Sequence, residues 1–305
     1  MFINVLTQVS VLLILIALGV VLTKSNIINE VGIKCMTDLV LYAVTPAVII
    51  VSFIRPFEKS AATRLLISVI TAVAAHILFI LLSMLFVHDK NDSRLRVLRF
   101  AAIFGNCGFM ALPLQQAILG SDGVFYGSAV VAVFNIFVWS YGIFLMSGDK
   151  KYIRIRSLAL SPNILAIIIG IIIFLFSIPV PAIIKSPLEF MAGLNTPLPM
   201  IIIGYHLAKS DILKSLRDRG IILATALKLV LFPLVSLAIM YIIGMSGIVP
   251  VSLTIAFASP IAAMTAMFSA KFGRDTALAA EAVSISHIIA ILTMPPIIYL
   301  AQLLF

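Results

Sequence analysis

The sequence predicts an all-α integral membrane protein with ten transmembrane helices, arranged as a five-plus-five inverted repeat whose fourth and ninth helices are broken. Three observations carry that prediction. Of 305 residues, 62% are hydrophobic and 11% charged, with a mean hydropathy of +1.21. Spans of roughly 20 apolar residues therefore consume nearly the whole length and leave none for a soluble catalytic domain. Lysine and arginine fall in short clusters on alternate loops, as the positive-inside rule requires. Two apolar segments, 105–120 and 258–273, are interrupted by glycine, proline and polar side chains, the pattern that marks a binding site between repeats.

Taken in order, apolar runs cover 2–23, 34–54, 63–87, 97–119, 123–147, 158–178, 186–208, 219–244, 250–270 and 276–304. No basic residue precedes Lys24, so the first run reads as a retained helix without the charged start of a signal peptide. With ten spans, one side receives Lys24 and Lys34; Lys90, Arg94, Arg96 and Arg99; Lys150, Lys151, Arg154 and Arg156; Lys209, Lys214, Arg217 and Arg219; and Lys271 and Arg274. The other side receives Arg55, Lys59, Arg64 and Lys185. The asymmetry places both termini on the extracytoplasmic side of a cytoplasmic (inner) membrane. A basic cytoplasmic linker, 149–157, divides a first five-helix repeat, 1–148, from a second, 158–305. An odd number of spans per half forces the halves into opposite orientations. Thr45-Pro46 in the second run and Thr196-Pro197 in the seventh recur in matching order, as do Gly120-Ser121-Asp122 and Gly273-Arg274-Asp275 after the interrupted runs.

The first interruption places Asn106, Gln115 and Gln116 around Pro113. Proline removes an amide donor and hydrocarbon supplies no replacement, so these amides either cap freed backbone groups or contact a substrate. The second offers Ser259, Pro260 and Thr265, milder groups suited equally to helix packing. Lys228 lies inside the eighth run, where an isolated charge costs several kcal/mol by insertion scales. It snorkels, pairs with another group, or balances an anionic substrate. Glu281 and His287 in the last run are proton-coupling candidates, and His76 and His206 share the histidine chemistry. Asn163, after Ser161-Pro162, reads as a helix-start signal. Asp89 and Asp92 read as solvated loop residues.

No Walker-type Gly-x-x-x-x-Gly-Lys-Ser/Thr, His-Glu-x-x-His or Gly-x-Ser-x-Gly occurs, nor an Asp-rich pair able to hold magnesium and diphosphate. The sequence thus predicts a non-enzyme with no catalytic residues, cofactor or metal. The net charge of +9 is explained by loop clusters, not by a nucleic-acid surface. Cys35 and Cys107, in separate apolar runs, read as small packing residues.

With these residues laid out, the sequence resembles the auxin efflux carrier family, the PIN-like transporters that include plant PIN-FORMED proteins and bacterial permeases for malate and related organic acids. The resemblance spans essentially the whole chain. It rests on Leu41-Tyr42-Ala43-Val44-Thr45-Pro46-Ala47, Gly105-Asn106-Cys107-Gly108 with Leu112-Pro113-Leu114, Ser161-Pro162-Asn163 with Gly170, Thr196-Pro197-Leu198, Lys228-Leu229 with Pro233, and the run from Pro260 to Thr293-Met294-Pro295. It implies crossing fourth and ninth helices, a transport domain moving against a scaffold that dimerises, and a site formed by Asn106 and Pro113 on one arm and Pro260 on the other. Met264 and Thr265 stand where relatives often carry an amide or a second proline. The short central loop matches the bacterial form.

The expectation is therefore a secondary active transporter moving a small organic anion, such as malate, by alternating access with proton coupling. Asn106, Pro113, Gln115, Pro260, Thr265 and Lys228 are the candidate substrate residues, and Glu281 and His287 the candidate proton carriers. The expected partners are the anion, a co-transported proton, membrane lipid and a second copy of the chain, with no nucleic acid. A sodium-coupled symporter of the bile-acid type is the nearest alternative, and a membrane-embedded lipid or prenyl enzyme the alternative of another class.

Overall fold

Residues 2–153, 160–209 and 216–305 are described by the computed structural model, and 82% of them are helical. Arg154, Arg156 and Lys214, and with them residues 154–157 of the basic linker, lie outside the described residues. Helix α1 is Phe2–Lys24, α2 is Glu30–Phe53 and α3 is Lys59–Phe86. Helix α4 is Asp92–Ile103; after three extended residues the chain resumes as α5, residues 107–119. Gly120, at φ 66° and ψ −155°, reverses the chain into α6, residues 121–147. Only glycine adopts that conformation without strain. Then follow α7 Pro162–Leu175, α8 Ala182–Gly193, α9 Pro197–Lys209, α10 Arg219–Ile242, α11 Ile248–Phe257, α12 Met264–Lys271 and α13 Thr276–Leu304.

Five helical stretches among the described residues are long and apolar enough to cross a membrane: Glu30–Phe53, Lys59–Phe86, Cys107–Ser147, Arg219–Ile242 and Thr276–Leu304. The ninth apolar run is interrupted between α11 and α12. The seventh apolar run, expected as one helix, is split by a turn at 194–196 into α8 and α9.

Three prolines are absorbed by one device. A π-helical turn at Val40–Val44 ends two residues before Pro46, one at Cys107–Ala111 two before Pro113, and one at Leu227–Leu231 two before Pro233. A proline ring clashes with the carbonyl four residues back and cannot bond to it. Those carbonyls belong to Tyr42, Phe109 and Leu229, each inside its widened turn, so the bend is taken up locally and the helix continues. This relocates the first break. It lies at 104–106, before Cys107, and Pro113 sits within an intact helix.

Helix α1 packs along α9 at backbone contact. A Cβ on Gly19 would stand 2.5 Å from the Ile201 carbonyl oxygen, the close approach that small residues allow between membrane helices. Helices α7 and α8 pack on the C-terminal half of α2, where Phe53 rests against Gly170. Helices α3 to α6 and α10 to α13 form the rest of the core, in which Phe79 stacks on Phe232 at 4.7 Å.

Both ends of the bundle are tied by ion pairs. At one end Arg94 bonds Asp89 at 3.1 Å and Asp218 at 2.8 Å, while Arg274 reaches Asp92 at 3.3 Å and donates to the Met146 and Ser147 carbonyls. Asp89 and Asp92, expected to be merely solvated, instead join the starts of α4 and α10 and the loop before α13. At the opposite end Arg55 pairs with Asp122 and lies 4.5 Å over the Phe125 ring. Two further expectations are corrected. Ser161, not Asn163, caps α7, its hydroxyl accepting from Ile164 N. Cys107 is buried, but Cys35 is exposed.

Candidate functional site

The two interrupted arms meet as extended chain. Asn106 N donates to the Pro260 carbonyl at 2.6 Å, and Ala262 N to the Phe104 carbonyl at 2.9 Å, closing an antiparallel bridge between Gly105 and Ile261. The Ile261 amide, left over by that pairing, donates to Ser286 Oγ of α13 at 3.0 Å, and Ser286 passes its own proton to the Val283 carbonyl. Irregular backbone survives inside a membrane protein only when its polar groups are met in this way. Pro260 therefore contributes its carbonyl to the crossing, and its missing amide leaves no orphan there.

Asn106 lies between the crossing and α5. Its Oδ1 accepts from Phe109 N at 3.2 Å, which caps α5, and its Nδ2 faces His287 Nε2 at 3.1 Å. His287 Nδ1 lies 2.8 Å from the Val283 carbonyl. Backbone groups settle the direction of every bond. The Phe109 amide can only donate, so the atom facing it is the oxygen; the Val283 carbonyl can only accept, so Nδ1 carries the ring proton. Nε2 is then bare and accepts from Asn106. Both side chains are buried, 8% and 6% exposed, and both line a cavity of about 50 Å³ with Thr37, Phe109, Ile202, Ile203, His206, Leu207, Ala263, Val283 and Ser284.

The other candidates are placed elsewhere. Successive residues of extended chain face opposite sides, and Gly105, next to Asn106, lines a second void of about 10 Å³ that holds Lys228 and His76. Lys228 neither snorkels nor reaches the main cavity. Its Nζ donates to the Phe257 carbonyl at 2.9 Å and lies 5.6 Å from the Phe79 ring centroid, so it caps the C-terminus of α11, where positive charge is favoured. His76 bonds the Ala72 carbonyl and stacks on Phe137. Gln115 Nε2 donates to the Ser252 carbonyl at 2.8 Å, and Ser252 Oγ donates to the Gly123 carbonyl, stapling α5 and α6 to α11. Gln116 is exposed. Pro113 and Thr265 are buried but do not line the cavity, and the Thr265 hydroxyl has no hydrogen-bond partner among the described residues. Ser259 turns its hydroxyl to the Ala256 carbonyl. Glu281, half-buried, stands a turn and a half before His287 on α13 and outside the lining. Thr37, Phe109 and Ala263 enter the lining unannounced: nothing in their local sequence separates them from ordinary helix residues.

Broken helices that cross within an apolar bundle, with polar side chains gathered where they pair, define a membrane carrier. Residues 4–298 match the family described as membrane transport protein, and the chain belongs to that family, the auxin efflux carrier family. It is a multi-pass membrane protein of a transporter family, not an enzyme. Among its relatives is an uncharacterized transporter of Methanothermobacter thermautotrophicus (strain Delta H), 25% identical over 291 residues that cover 93% of this chain and 94% of the relative. Another is an uncharacterized transporter of Methanocaldococcus jannaschii, 23% identical over 296 residues covering 94% and 95%.

Proposed function

We propose that this protein is a secondary active transporter that carries a small organic anion, a carboxylate such as malate, across the cytoplasmic membrane by alternating access around the crossing, with a proton as the coupling ion. The observation that carries this reading is Asn106. Its amide lines the cavity at the N-terminus of α5, where the helix dipole favours negative charge. Asn106 donates to the carboxylate, and His287 is the neighbouring proton carrier. Lys228, Gln115, Pro113 and Pro260 hold the arms in place behind it, and Thr265 joins the site as the second arm moves. Glu281 lies on the proton's route from the helix end.

In this reading the helices form ten spans: α4 with α5, α8 with α9 and α11 with α12 count as one each, and 1–148 and 158–305 are inverted repeats. The ion pairs support it. Arg94, Asp218, Asp92 and Arg274, from three loops that the charge pattern assigns to the cytoplasm, join one another at one end, and Arg55 with Asp122 joins two outer loops. Both termini are then extracytoplasmic. Thr37, His206 and Ser284 join Asn106 and His287 in the lining of the cavity. Alternating access moves the arms against α1, α2 and α7 to α9. That outer group of helices pairs two copies of the chain as a dimer.

Ligand-induced stabilisation tests the substrate class. Malate, malonate and lactate should raise the unfolding temperature of the purified protein in proportion to saturation, and the matching amides should not. Stabilisation by the amides alone would contradict an anion site.

A further inference from the structure

We infer that His287 takes up a proton on Nε2 when the carboxylate binds, so that anion and proton enter the Asn106 site together; this rests on the anion-carrier reading above. The donor pattern carries the inference. With Nδ1–H fixed on the Val283 carbonyl and Asn106 Oδ1 fixed on Phe109 N, one of the two Asn106 N–H groups is taken up by the bare Nε2 at 3.1 Å. The empty site is therefore neutral. A carboxylate entering it meets amide N–H but no cation.

Around His287 the cavity wall is Thr37 from α2, Phe109 and Asn106 from the first arm, Ala263 from the second, and Ile202 and His206 from α9. His206 is the other titratable group there, and it is exposed at the mouth. Lys228 is on the far face of the crossing, held by Phe257. Glu281, earlier on α13, is acidic and adds no positive charge. An anion buried without a counter-charge is prohibitively costly, so the charge must arrive with it. A proton has one place to bind on His287, the Nε2 lone pair. Once there it opposes the Asn106 N–H, donor against donor, and the hydrogen bond between them breaks. Two donors and one positive charge then face the cavity, matched to the two oxygens of a carboxylate. The site gains a donor and a positive charge in one step, and the bound pair is neutral overall.

The test uses the full-length protein in lipid nanodiscs with its four histidines labelled with nitrogen-15, His287→Gln serving only to assign the His287 signals. At neutral pH without carboxylate, His287 should be neutral with its proton on Nδ1. Saturating malate should convert it to the doubly protonated form. The apparent Kd should rise about tenfold per pH unit through the range where one proton accompanies each anion. A proton on Nε2 in the empty protein would overturn the inference, as would a His287 that stays neutral while malate stabilises the fold; both leave the carrier reading standing. Failure of malate, malonate and lactate alike to bind folded protein would overturn both.

Discussion

Gly105 lies so close to Lys228 that a Cβ built on it would stand 2.5 Å from the lysine Cε and 2.6 Å from Nζ. The side chain fills the space a larger residue would need, and its ammonium is pinned on the Phe257 carbonyl. Gly105→Ala should therefore destabilise the protein by about 1–3 kcal/mol, because Lys228 has to leave its carbonyl to make room. On a Lys228→Ala background the same change should cost less, with Ser259 Oγ, 2.6 Å from that Cβ, the remaining obstacle. Thermal unfolding of the two single variants and the double variant measures the coupling, and strict additivity would contradict the contact.

Lys228→Ala alone should lower stability by about 1–3 kcal/mol, since it leaves the end of α11 with an unpaired buried acceptor. Lys228→Arg, which keeps a donor and a charge, should recover part of that loss. An unchanged unfolding temperature in Lys228→Ala would show that the Phe257 bond holds nothing.

Asn106 has two duties that one substitution separates. Asn106→Ser keeps a cap for the Phe109 amide but has no second donor, so stability should stay within about 1 kcal/mol of the parent while carboxylate affinity falls at least tenfold. Asn106→Ala should lose both. Equal affinity in parent and Asn106→Ser, read by ligand-induced thermal shift, would remove the amide from the site.

The ion pairs around Arg94 predict an acid limit. The Asn91 amide, then Arg94, hold the Asp89 carboxyl below its ordinary 3.8. Burial pushes Asp218 up, but Arg94 and the Ile221 and Gly220 amides outweigh it and hold that carboxyl low as well. Carboxylates depressed in the fold stabilise it above their unfolded value and lose that contribution as the pH falls through the folded one. The unfolding temperature in detergent should thus be flat above about pH 5 and drop below about pH 4. Arg94→Gln should be less stable at neutral pH, by about 1 kcal/mol, and less sensitive to acid.

The sequence announced the two interrupted arms because glycine, proline and asparagine inside an apolar run are costly in lipid unless something meets their backbone groups. Asn106 and Pro260 were legible on that ground. Pro113 misled, because a π-helical turn absorbs a proline without breaking the helix and leaves no separate signature. His287 was legible as a titratable residue, but its pairing with Asn106 was not, since the two stand 181 positions apart and meet only when α13 packs beside the crossing. The partners of Lys228 and Gln115 are backbone carbonyls, which every residue has, so local sequence carried no mark of them.

The most direct test of the central claim is uptake of radiolabelled malate into proteoliposomes holding the purified protein, with and without an inside-alkaline pH gradient, beside vesicles holding Asn106→Ala. The account predicts uptake that the gradient stimulates, that unlabelled dicarboxylate competes away, and that Asn106→Ala abolishes while remaining folded. Undiminished uptake in Asn106→Ala would contradict the site at the crossing, and no uptake of malate or other carboxylates by folded protein would contradict the carrier itself.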